Sequence, residues 1–92
     1  MESIDLQTDL KLSFEKLPHN VRLIVLKNDK EWVCKKEKLG RLFYFAEADE
    51  EHLFNGRLQL FKNEHKINIQ VKNEFIGTIS NETFKQVLSK LK

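Results

Sequence analysis

Ninety-two residues with a formal charge of +2 and 40% apolar side chains make one small domain, with no room for a second core. The apolar share excludes a disordered chain, even though 33% of the residues are charged. So balanced a charge does not single out nucleic acid as a partner.

Met1 to Leu17 carries two superposed patterns. Ile4, Leu6, Leu10, Leu12 and Phe14 alternate with polar residues as in a strand. Leu6, Leu10, Phe14 and Leu17 also form a helical stripe, with Thr8 as a cap and Pro18 as a stop. A twelve-residue strand would be longer than most, so the reading leans to a helix near 4–17. The segment has no basic region leading into a continuous apolar run, so a signal peptide is not expected.

Val21 to Lys27 is nearly all apolar and rich in β-branched residues, which suits a strand buried on both faces. Lys27-Asn28-Asp29-Lys30 then reverses the chain, and Glu31 to Glu37 returns with Trp32 and Cys34 on one face and Val33 on the other. The same kind of turn recurs at Lys62-Asn63-Glu64-His65 and Lys72-Asn73-Glu74-Phe75. The flanking segments share no period, so no repeat is read from the sequence.

Lys38 to Asn55 is again ambiguous. Leu42 to Phe45 has strand propensity, yet Leu39, Leu42, Phe43, Ala46, Leu53 and Phe54 share one side of a helical wheel, and Asn55-Gly56 is a helix stop. A helix over 41–53 is preferred, with a strand through Phe45 as the alternative. Beyond it, Arg57–Phe61, Lys66–Lys72 and Glu74–Ile79 alternate apolar and polar residues with period two, the mark of half-buried antiparallel strands. In the last of these Phe75, Gly77 and Ile79 are assigned to one face, and Ile76 with Thr78 to the other. Ser80 or Asn81 opens a helix over 81–91, with Phe84, Val87, Leu88 and Leu91 on its apolar stripe.

The expected architecture is therefore α+β. One antiparallel sheet of about five strands, from a hairpin over 21–37 and a meander over 57–79, carries the terminal helix and helical cover from 4–17 and 41–53. No run is long enough for a membrane span, and the lone Cys34 suits a reducing compartment, so a soluble cytoplasmic protein is expected.

No motif announces a reaction. Cys34 with His19, His52 or His65 lacks the flanking glycines and orienting group of a nucleophilic site, and a structural thiol is the simpler reading. Glu47, Asp49, Glu50 and Glu51 beside His52 form the only dense carboxylate group. It has no metal-ligand spacing and reads as a solvated helix face. Gly40, Gly56 and Gly77 lie too far apart for a phosphate cradle. No catalytic residue, metal or cofactor is assigned.

Two binding readings remain. The first is a non-enzymatic interaction domain that pairs with another protein or with itself as a homodimer. Its features are open sheet edges and the apolar residues Phe45, Phe61 and Ile76 on faces assigned to solvent. The second is a single-strand nucleic-acid binder that stacks bases on Trp32 among Lys30, Lys35, Lys36 and Lys38, with Arg41 and Tyr44 alongside.

Overall fold

The first seventeen residues decide the architecture. In the computed structural model, which describes Met1–Lys92, they form a hairpin and not a helix. Strand β1 (Glu2–Gln7) pairs with β2 (Leu10–Lys16), bringing Ile4 opposite Leu12 and closing Gln7 on Leu10 around Thr8-Asp9. The period-two pattern wins because that turn divides the long alternating run into two strands of ordinary length. The helical stripe arose only because Leu6 and Leu10 flank the turn.

The hairpin continues into β3 (Val21–Lys27) and β4 (Lys30–Glu37), giving a four-stranded antiparallel meander in the order β1-β2-β3-β4. Helix α1 (Leu39–Glu47) follows. A second meander, β5 (Glu50–Leu53), β6 (Leu58–Asn63), β7 (Lys66–Val71) and β8 (Glu74–Ser80), then leads into α2 (Asn81–Lys90). The chain thus holds two four-stranded sheets in place of the single five-stranded sheet expected from the sequence. The hairpin over 21–37, the meander over 57–79 and the terminal helix stand where the patterns put them. No helix is long and apolar enough to cross a membrane.

The order of elements, four strands and a helix, occurs twice, although no sequence period announced it. The turn between third and fourth strands has the same geometry in both halves: Asn28 and Asp29 have φ of 54° and 64°, and Lys72 and Asn73 have 54° and 66°. Two successive positive φ values mark the hairpin turn whose twist matches that of its strands. At its first residue, Asn28 N–H donates to Asp9 O (2.9 Å) in one half and Lys72 N–H to Arg57 O (2.7 Å) in the other.

The segment 41–53 divides between two elements. Helix α1 starts at Leu39 and ends at Glu47, so the end of the expected helix gives way to a short connection and to β5. Continuing it would place Asp49, Glu50 and Glu51 at the negative end of the helix macrodipole. Helix α2 obeys the usual rules: Ser80 Oγ accepts from Thr83 N–H (3.1 Å), Glu82 lies in the first turn and Lys90 in the last.

One core joins the parts. Leu12, Phe14, Leu23 and Val25 of the first sheet meet Leu58, Leu60, Ile67 and Ile69 of the second, with Leu42, Phe45, Phe84 and Leu88 from the helices. Phe84 binds the layers together, edge-on to Phe14 and to Phe45 with centroids 5.8 Å away in each case. Strands β1 and β8 meet along a seam where Gln7 Nε2 donates to Ile76 O (2.6 Å). Gly77 permits the approach, since a Cβ there would lie 3.3 Å from Leu6 Cβ.

Two of the three residues assigned to solvent are buried. Phe45 is 1% exposed because α1 packs on α2 as well as on the sheets, widening its apolar arc beyond the stripe read from the wheel. Ile76 is 3% exposed because of a register shift in β8: Gly77 faces Ile69 while Phe75 already faces Gln70. The extra residue turns Ile76 inward and leaves Phe75 exposed.

Candidate functional site

Strand β4 is where the fold leaves backbone capacity unused. It pairs with β3 on one side, and no backbone hydrogen bond reaches its other side. The opposite edge of the same sheet, β1, is covered by the seam with β8. In the second sheet the other open edge, β5, is only four residues long, and short edges pair weakly. Strand β4 has eight.

A groove of about 480 Å³ runs beside this edge, with Glu31–Lys35 on one wall and Gly56 with Arg57 on the other. The Lys35 side chain reaches across it, so that a Cβ at Gly56 would stand 2.9 Å from Lys35 Nζ.

The register with β3 fixes which way each β4 side chain faces. Val33, Lys35 and Glu37 lie opposite Val25, Leu23 and Val21, on the core side. Glu31, Cys34 and Lys36 lie opposite Leu26, Ile24 and Arg22, on the outer side. Trp32 is the extra residue where the register shifts between Val25 and Leu26, so it joins Val33 on the core side. The strict alternation read from the sequence, which placed Trp32 and Cys34 together, is broken by this bulge.

Arg22 anchors the outer face. Its guanidinium pairs with Glu15 (3.1 Å) and with Glu31, and its partners Cys34, Glu31 and Glu15 hold it further above its ordinary pKa. Lys36 lies directly opposite Arg22, a like-charged neighbour, and Lys30 lies opposite Lys27. Neither Lys30, Lys35, Lys36 nor Glu37 forms an ion pair within the chain, where the only pairs are Arg22 with Glu15 and Glu31, Lys85 with Glu47, and Lys90 with Glu2. The edge therefore carries charge that the folded chain leaves unbalanced.

The residues chosen for nucleic acid are divided between surfaces, although Lys30, opposite Lys27, lies on the side of Trp32 and Lys35. Trp32 and Lys35 face the core side, Lys36 faces the outer side, and Arg41 is exposed on α1 just past Lys38. Trp32 is half-buried, and Lys27 Nζ rests 4.6 Å from its ring centroid. Phe45, Phe61 and Ile76 do not form a patch either. Phe61 alone faces outward, half-buried and stacked on His52 with centroids 4.3 Å apart; His52 also contacts Gln59 at 3.1 Å. The carboxylate group is dispersed, with Glu47 ending α1 beside Lys85 (3.0 Å) and Glu51 in β5.

One buried site escaped the sequence reading. Lys62, 6% exposed, points into the protein from β6 and donates to Ala46 O (2.7 Å) and Ala48 O at the end of α1. Asn81 Nδ2 also reaches Ala46 O (2.8 Å). An ammonium at this point supplies donors to carbonyls that the helix itself leaves unpaired, at the negative end of its dipole. The signal was present in the sequence, since Lys62 continues the inward phase of Leu58 and Leu60, but the neighbouring turn residues masked it.

Comparison with protein-family models, with curated proteins and with solved structures returned no match.

Proposed function

We propose that this chain is a small non-enzymatic interaction domain whose binding element is the open edge of β4. The edge takes up an extended segment of another polypeptide as an added strand, main-chain hydrogen bonds supplying affinity and alternate side chains supplying selectivity. The observation that carries this reading is an eight-residue strand without backbone partners on one side, bordered by a groove of about 480 Å³. An unpaired Cys34 fits a reducing, cytoplasmic setting. The nucleic-acid reading has less support, because the Trp32 ring already carries Lys27 and the surrounding cations are divided between two faces.

Selection of peptides from a random displayed library, followed by amide exchange on the complexes, tests the proposal. Selected peptides should slow exchange of β4 amides between Lys30 and Glu37. Binders that protect a different region, or no binders at all, would overturn it.

A further inference from the structure

We infer that the segment β4 takes up is β4 of a second copy, running antiparallel about a two-fold axis through Cys34. This rests on the strand-addition reading above and names its occupant. An antiparallel pairing of identical edges requires opposed residues to face the same side of the sheet, so the axis passes through a residue position. The bulge makes Trp32 and Val33 share one position. Seven positions then remain between Lys30 and Glu37, and Cys34 is the middle one.

With the axis there, Lys30 meets Glu37 of the second copy and Glu31 meets its Lys36, each pair on a common face, and Lys35 comes opposite Trp32 and Val33. Twofold symmetry doubles each contact, giving four pairs of opposite charge and none of like charge. Moving the axis by one position puts Lys30 against Lys35, or Lys35 against its own copy. The charge pattern thus selects one register. It also supplies what the single chain lacks, because Lys30 and Lys36 each face a cation on β3 and neither has a carboxylate partner of its own. The result is a sheet of eight strands continuous across the dimer, with no open β4 edge.

A contact confined to one strand and the adjoining groove lies at the small end of specific interfaces, so dimerisation is expected on the order of 10–100 µM. Sedimentation velocity at low salt on the wild type and on Lys30→Glu and Glu37→Lys provides the test. Each variant alone opposes like charges at two places and should dimerise about tenfold or more weakly. An equimolar mixture of the two should recover wild-type affinity, since every altered charge then meets its opposite. That recovery also shows that both variants are folded.

Cys34 reports the register. On treatment with diamide, which takes up the two thiol hydrogens, the wild-type dimer should form a Cys34–Cys34 disulfide across the axis, where opposed Cα atoms lie about 4.5–5.5 Å apart. A mixture that dimerises no better than its components overturns the self-pairing, and recovery without the cross-link overturns the register. A strictly monomeric wild type whose β4 amides are still protected by selected peptides removes the second copy alone. Loss of both results removes the strand-addition reading as well.

Discussion

Replacing Lys62 by Met tests the account of how the two halves are joined. The side chain is 6% exposed and its ammonium serves Ala46 O and Ala48 O, so the change removes both bonds while keeping most of the volume. Hydrogen bonds to a charged group contribute about 1.5–3 kcal/mol each, or roughly 3–6 kcal/mol for two. Relief of the ammonium's desolvation and burial of the thioether return about 1–2 kcal/mol. Ala46 O keeps Asn81 as a donor, which places the expected loss near 2–4 kcal/mol. That is a large part of the roughly 5–14 kcal/mol typical of a chain this long. Urea unfolding should show the loss at unchanged m, and Tm should fall by about 10–25 °C. Amide exchange should quicken first at the end of α1. Equal or greater stability of the variant would refute the reasoning, by showing that burying the ammonium costs more than its bonds contribute.

Gly77→Ala should cost about 1–2 kcal/mol, measured by chemical denaturation, because its Cβ would press on Leu6 across the seam. Gly40→Ala, with nothing within 4 Å of the added carbon and a place in the first turn of α1, should instead stabilise by about 0.5–1 kcal/mol. At the β7–β8 turn, Asn73→Gly should raise Tm slightly. Asn73→Val, forced to a φ of 66°, should lose about 1–2 kcal/mol, and equal stability of the two would contradict the turn assignment. Ser80→Ala should cost about 1 kcal/mol by removing the acceptor for Thr83 N–H, with helicity lost at the start of α2.

The patterns that were legible were those in which periodicity and turn chemistry agreed. Val21–Lys27 with Asn28-Asp29, and Lys66–Val71 with Lys72-Asn73, show both, and their strands and turns stand as read. Asn81–Lys90 had a cap, a stripe and dipole-matched charges. Where two periods coincided, as in Ile4–Leu17, the Thr8-Asp9 turn and the pairing of β2 with both β1 and β3 decided for strands. The errors at Trp32 and Ile76 have a single cause. Each strand inserts one residue, and every side chain beyond it changes face relative to a strict alternation. The candidate edge was legible as a strand, but its openness was not, because it depends on β1 and not β4 meeting β8.

Each strand that joins a sheet does so beside the strand immediately before or after it in the chain. Ring closure during assembly therefore spans only short loops, and its entropic toll stays low. Refolding from urea should be rapid for a β-rich polypeptide, on the order of milliseconds. Phe84 meets Phe14 and Phe45 only once elements from both halves have come together, so truncating Phe84 should accelerate unfolding far more than it slows collapse.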